Sequence, residues 1–301
     1  MKNYLFIVVI TLFYSVFTSC SADKAQPQSN HPIIDVVTQG TWKITHYSDN
    51  GDIETRNFID YIFTFRSDNK LIASNAGSEI TGNWNVTDDN GSGELYTDIS
   101  SPNNTDDTPN NPVDFNIKFD APLIFKGVGD DWDIEEILSE NEIALKDGNS
   151  DDATRTDYIT FEKIPSIALD LTSVITQGLW KIFYYEDHRQ NQTANFTGYS
   201  FAFGTDGSIV ATNGAFSESG NWLITQNNES NLYTPTPPTV YDDSPANSTD
   251  CNIYFPASNL LFNDIQDDWD IVFVSNNTII LKDEVAIDPT LNDYIVLKKL
   301  P

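Results

Sequence analysis

The sequence predicts an all-β protein made of two tandem antiparallel up-and-down β-barrels, eight to nine strands each. Three observations carry that expectation: an internal repeat, a period of two in the apolar pattern, and turn signals between short apolar runs. TQGTWKITHY at 38–47 returns as TQGLWKIFYY at 176–185, FTF at 63–65 as FAF at 201–203, and GNW at 82–84 as GNW at 220–222, all separated by 138 positions. LYT and DDWDI recur at a separation of 137, and LKD and DYI at 136. Seven blocks in one order, with so small a drift, mark a tandem duplication of a unit of ~130 residues with small loop insertions. Each Trp has a counterpart: Trp42 with Trp180, Trp84 with Trp222, and Trp132 with Trp269.

Within each copy the apolar residues alternate. Tyr61, Phe63 and Phe65 alternate with Ile62, Thr64 and Arg66, and Tyr199, Phe201 and Phe203 with Ser200 and Ala202. Trp132 and Ile134 alternate with Asp131, Asp133 and Glu135. Such alternation over short runs is the signature of strands with one buried face. Asp49-Asn50-Gly51, Ser67-Asp68-Asn69, Asp88-Asp89-Asn90-Gly91 and Ser139-Glu140-Asn141 supply turns between the runs. Helical periodicity is confined to one turn before each first strand (169–175 in the second copy) and one near Leu123 to Lys126. So many meandering strands of one-sided polarity remove their exposed edges best by closing into a barrel. The boundaries expected are a signal peptide at 1–19, a lipidated Cys and tether at 20–33, barrel one at 34–165 and barrel two at 166–301.

Gly40-Thr41-Trp42 and Gly178-Leu179-Trp180, each heading a first strand, resemble the Gly-X-Trp signature of lipocalins. The ordered set is closer still to the lipocalin-like domains of bacterial secreted lipoproteins: Gly-X-Trp-Lys-Ile, an aromatic second strand, Gly-X-Trp on the fourth, an Asp-Asp-Trp strand and a closing Asp-Tyr-Ile strand. It covers about residues 34–163 and 172–300. The resemblance implies that Trp42 and Trp180 close the bottom of each barrel. The Arg that covers this Trp in lipocalins has no clear match, and Lys146 and Lys282 stand in the corresponding region.

Composition narrows the function. With 45 Asp+Glu against 16 Lys+Arg, the formal charge of the 301 residues is −29, so partners held by phosphate contacts, nucleic acid above all, are excluded. The chain has six Trp, 18 Phe and 13 Tyr, enough to build a real core. Its two Cys make neither a disulfide framework nor a zinc knuckle.

Residues 1–20, MKNYLFIVVITLFYSVFTSC, have a basic Lys2, an apolar run from Leu5 to Phe17 and small residues before Cys20. The run is short for a membrane span, which needs ~20 residues, and reads as a cleaved signal. Phe17-Thr18-Ser19-Cys20 resembles a lipobox, although Phe17 replaces the usual Leu. Cys20 is therefore the expected lipid-attachment residue, and an ordinary signal peptide cut nearby is the alternative. The polar stretch 21–31 would be a tether reaching roughly 35 Å. The expected location is the outer membrane of a Gram-negative bacterium, held through the lipid anchor alone.

Catalytic chemistry is hard to find. His31, His46 and His188 occupy non-equivalent positions, and no His-X-Glu or His-Glu-X-X-His pattern exists, so neither a triad nor a transition-metal site is expected. Cys251 aligns with Phe115 in an alternating run and reads as a small core residue. Asp130-Asp131-Trp132-Asp133 and Asp267-Asp268-Trp269-Asp270 offer oxygen ligands for Ca²⁺, but read better as a turn followed by acids on the solvent face of a strand. The Pro- and Asn-rich stretches 99–113 and 235–249 read as long surface loops. No cofactor and no enzyme activity are expected.

What remains is the inward-facing set. Trp42, Ile44, His46, Tyr61, Phe63, Trp84, Trp132, Ile134 and Glu136 are the ligand-binding candidates in barrel one. Trp180, Ile182, Tyr184, Tyr199, Phe201, Trp222, Trp269, Ile271 and Phe273 are those of barrel two. An eight-stranded barrel either holds one small ligand or is filled by side chains. The copies diverge at His46 against Tyr184 and at Glu136 against Phe273, which suggests pocket mouths of different polarity. The functional expectation is a surface-anchored lipoprotein binding small hydrophobic or amphipathic molecules. The alternative is a structural, adhesion or glycan-capture lipoprotein with filled barrels. The sequence is silent on oligomeric state.

Overall fold

The computed structural model describes residues 32–88, 113–147, 156–226, 249–256, 260–284 and 291–301. Cys20, the tether and nearly all of the two long Pro- and Asn-rich stretches lie outside the described residues. Copy one runs β1 (Trp42–Asp49), β2 (Asp52–Ile53), β3 (Ile62–Phe65), β4 (Lys70–Ser74), β5 (Glu79–Asp88), β6 (Val113–Lys118), β7 (Asp131–Ser139), β8 (Glu142–Asp147) and β9 (Asp157–Lys163). Copy two repeats it: β10 (Trp180–Asp187), β11 (Gln190–Asn191), β12 (Ser200–Phe203), β13 (Ser208–Asn213), β14 (Phe216–Gln226), β15 (Thr249–Tyr254), β16 (Asp268–Val274), β17 (Thr278–Asp283) and β18 (Asp293–Lys299). With β2 and β11 set aside, strands neighbouring in sequence pair antiparallel, and β1–β9 and β10–β18 close the two sheets. The short β2 and β11 hang on the ends of β1 and β10, so each barrel proper has eight strands.

A helical turn plugs each end. The turns α1 (Pro32–Val37) and α3 (Leu171–Ile175) precede the first strands, and their last carbonyls accept the indole N–H of Trp42 (from Val37, 2.8 Å) and of Trp180 (from Ile175, 2.8 Å). This satisfies the one polar atom that a buried indole brings with it. Lys163 and Lys299, at the ends of β9 and β18, lay their ammonium groups over the two rings at 5.9 Å from the centroids. The cation over the conserved-in-repeat Trp is thus Lys163 or Lys299, not Lys146 or Lys282. Gly40 (φ 111°) and Gly178 (φ 94°) make this possible: a Cβ there would stand 2.9 and 3.1 Å from the Cε of Lys163 and Lys299. Gly82, in the first GNW, has the backbone as its constraint, since a Cβ would lie 2.5 Å from the Lys118 carbonyl on β6.

At the other end, β1 pairs with β3 only at Trp42–Phe63 and then parts from it. A 3-10 turn (Thr55–Phe58) fills the gap, with the Thr55 hydroxyl accepting the Tyr47 N–H at 2.9 Å; Thr193 does the same for Tyr185 at 2.8 Å. The short helices α2 (Leu123–Lys126) and α4 (Leu260–Asn263) insert Phe125 and Phe262 beside these turns.

Single-residue bulges set which side chains face in. In β1 the register jumps at Thr45: Ile44 opposes Phe161 but His46 opposes Thr160. The same jump occurs at Phe183 in β10 and at Val272 in β16. An extra residue reverses the in-out alternation beyond it. Tyr47 and Tyr185 therefore turn into the cores, and their neighbours His46 and Tyr184 turn out.

Candidate functional site

The lumens are built from rings. Phe65 on β3 meets Trp84 on β5 at 5.3 Å between centroids, Phe115 on β6 at 5.6 Å and Phe161 on β9 at 5.3 Å. In the closed order of eight strands, β3, β6 and β9 stand three, three and two strands apart, so these contacts span the barrel. Trp42, Ile44, Phe63, Trp84 and Trp132 are all buried in this cluster, and Trp180, Ile182, Phe201, Trp222 and Trp269 in its counterpart. Ile134 and Ile271 pack against the two clusters from their margins. Tyr61 and Tyr199 sit at the rims, half-buried, where Phe125 and Phe262 cover them edge-on at 4.9 and 5.5 Å. The predicted site residues of the interior are thus brought together, but as a packed core.

Three of the predicted residues are not interior at all. Past the bulges, Tyr184 and Phe273 lie on the outer face of barrel two, in an apolar cluster with Ile280, Tyr294 and Val296. Ile59 of barrel one is buried in the same cluster, with Ile53 and Ile164 against it. His46 also faces out, and meets the ring of Phe183 edge-on at 4.9 Å. Burial beside Lys298 brings its pKa down to about 4, so it is a neutral packing residue at neutral pH. The divergence of His46 from Tyr184 is therefore a difference between outer faces, not between pocket mouths, and Phe273 is an outer-face residue of barrel two. Glu136 opposes Ala144 on β8 after a bulge of the same kind; its side chain lies outside the described residues.

The outer cluster is the seam that joins the barrels, and polar groups frame it. Glu162 on β9, 3% exposed at its side chain, accepts from Ser275 (2.8 Å), Thr45 (2.9 Å), Thr278 and the Lys298 ammonium. Glu162 and Lys298 occupy equivalent positions of the repeat, opposite Lys43 and Lys181 on the first strands. On the far side, Arg56 pairs with the buried Glu186, which also takes the hydroxyl of Tyr184. Lys282 reaches Asp60 across the seam at 3.4 Å. Burial lowers Lys43, near Asp60 and Lys282, to about 8. The join is not a two-fold: Tyr294 is 4% exposed, whereas its counterpart Tyr158 is 38% exposed. A cleft of about 200 Å³ opens at the seam between the β7–β8 and β16–β17 turns, lined by Ser139, Asn141, Glu142, Lys163, Ser275 and Asn277 among others. It is smaller than the ~300–1,000 Å³ typical of drug-sized ligand sites.

The two Asp-Asp-Trp-Asp runs each begin as a turn: Asp130 and Asp267 accept the next residue's N–H at 3.0 Å. Burial, aided by Asp147 and Asp131, pushes Asp130 up to about 8. Asp133, Asp268 and Asp270 are buried, which corrects the expectation of acids on a solvent face. Cys251 is fully enclosed opposite Trp269, and burial raises its thiol to about 12, as an inert core residue requires.

One grouping has no precedent in the sequence reading. The β10–β11 turn carries Asp187 and His188, and β18 brings Asp293 beside them, so that donor atoms of the three lie within 4.8 Å of one another. Asp293 is raised to about 6 by burial. Adjacent Asp187-His188 gave no ligand spacing on its own, because Asp293 is 105 residues away in sequence. No protein-family model and no curated protein matches this chain.

Proposed function

We propose that the protein is an exported, non-catalytic lipoprotein, acylated at Cys20, in which two filled lipocalin-like barrels form one acidic scaffold. Its binding surfaces are then its outer faces and end turns. The observation that carries this reading is the contact of Phe65 with Trp84, Phe115 and Phe161, which leaves the centre of barrel one to side chains. It favours the scaffold over a carrier of small hydrophobic molecules, whose ligand would need that space. The lipobox-like Phe17-Thr18-Ser19-Cys20 supports the anchor, and the charge of −29 supports a hydrated body standing off an anionic membrane on its tether. The seam cleft favours a second reading, capture of a small polar molecule by the hydroxyls, amides and charges that line it.

Metabolic labelling with a palmitate analogue should mark the full chain and fail on Cys20→Ala; unchanged labelling overturns the anchor. Native mass spectrometry of the purified chain should show no retained apolar molecule. A stoichiometric lipid or retinoid would overturn the filled-barrel reading. A polar adduct lost on substituting Asn141 and Asn277 would establish the second.

A further inference from the structure

We propose that the β10–β11 turn is a binding site for a divalent transition-metal ion, with Asp187, His188 and Asp293 as its protein ligands. The geometry comes from the backbone. His188 (φ 48°) and Arg189 (φ 66°) form a two-residue turn with both φ angles positive, the form that suits hairpin twist. In this conformation the His188 N–H donates to Asp293 Oδ1 at 2.7 Å, which fixes a carboxylate from the distant β18 under the turn. Gln192 Nε2 donates to Asp187 Oδ2 at 2.8 Å and fixes the other. Each carboxylate keeps its second oxygen toward the imidazole: Asp187 Oδ1 touches His188 Nδ1, and Asp293 Oδ2 lies 3.8 Å from it. An ion held ~2.0–2.2 Å from nitrogen and oxygen sets its donors roughly 3–3.5 Å apart, so on binding Asp187 Oδ1 and His188 Nδ1 exchange their direct contact for the ion while Asp293 Oδ2 closes in slightly. His188 is exposed, so the remaining coordination positions would be filled by water. One imidazole and two carboxylates suit Zn²⁺ and its neighbours in the first transition row, whereas Ca²⁺ prefers six to eight oxygens.

Copy one contains the control. Its turn has the same build: Asn50 has φ 51°, its N–H donates to Asp157 Oδ1, and its side-chain amide donates to Asp49 Oδ1. An amide N–H stands where copy two has an imidazole nitrogen, so the two carboxylates there lack the third donor.

The test is calorimetric titration of the full chain, without a histidine tag, with Zn²⁺ and separately with Ca²⁺. One Zn²⁺ per chain is expected, with a raised melting temperature in its presence. His188→Asn, which installs the residue copy one already uses in this conformation, should weaken Zn²⁺ binding at least about tenfold and leave the metal-free melting temperature unchanged. Asn50→His should raise the stoichiometry to two. Absence of saturable Zn²⁺ binding overturns the proposal. So does Zn²⁺ affinity indifferent to His188→Asn, or Ca²⁺ binding with the same dependence on His188, either of which would mean an acidic turn only.

Discussion

The two barrels share every strand but place their apolar side chains differently. Barrel one puts them in the lumen, where Phe65, Phe115 and Phe161 meet. Barrel two has Phe203 there, with Cys251 opposite Trp269 in place of Phe115 and Leu297 opposite Ile182 in place of Phe161. Trp222, Ile253 and Ile182 keep 5–7% exposure, whereas Trp84, Ile117 and Ile44 keep none. On the outer face the order reverses: Ile280 and Val296 in barrel two stand where barrel one has Ala144 and Thr160, and Phe273 joins them there. One copy keeps the denser core and the other supplies the adhesive face. Duplication lets two demands that compete within a single barrel be met in separate ones.

This contrast can be broken at its strongest point first. Phe115→Ala removes the ring that joins β6 to the lumen cluster and should cost about 3–5 kcal/mol in chemical denaturation. If the loss is below ~2 kcal/mol, the lumen of barrel one is not the stabilising cluster described above. The seam comes next. Lys298→Met strands the buried Glu162 carboxylate and should cost about 3 kcal/mol. Exchanging the charges, Glu162→Lys with Lys298→Glu, should recover part of that loss, and no recovery would mean that the surrounding hydroxyls, not the pair, matter.

A third variant works in the opposite sense. Asp130 is held up to about 8 from an ordinary 3.8. Between those values the folded chain keeps a proton that the unfolded chain releases, so stability from this group is present at low pH and declines as pH rises through the window. Asp130→Asn should therefore stabilise by about 1–3 kcal/mol at pH 7–8 and by nothing near pH 3, read from denaturation midpoints at both. The smallest effect is expected in barrel two. Cys251→Ala should cost about 1 kcal/mol, well under the Phe115 variant, and native Cys251 should resist alkylation until the chain unfolds. A loss equal to that of Phe115→Ala would erase the contrast between the lumens.

Much of this was legible in the sequence, because the repeat aligned the Trp residues and alternation located the strands. The bulges were not legible. Thr45 and Phe183 look like ordinary members of an alternating run, and both copies carry the extra residue, so comparing the copies cannot reveal it. One unseen residue per strand was enough to send His46, Tyr184 and Phe273 to the wrong side. The seam was hidden for a different reason: Glu162 and Lys298 acquire meaning only once two closed barrels touch. The residues that cover Trp42 and Trp180, Lys163 and Lys299, come into place only through strand closure, far along the chain, so no local pattern marks them.

The opposite charges at Glu162 and Lys298 have a consequence for who can pair with whom. Two separate copies of the first barrel meeting through this position would set carboxylate against carboxylate, and two of the second ammonium against ammonium. Of the three pairings, only the unlike one, first barrel with second, brings opposite charges together here. Fusion in one polypeptide holds the unlike halves at high local concentration, which favours their pairing over the like one.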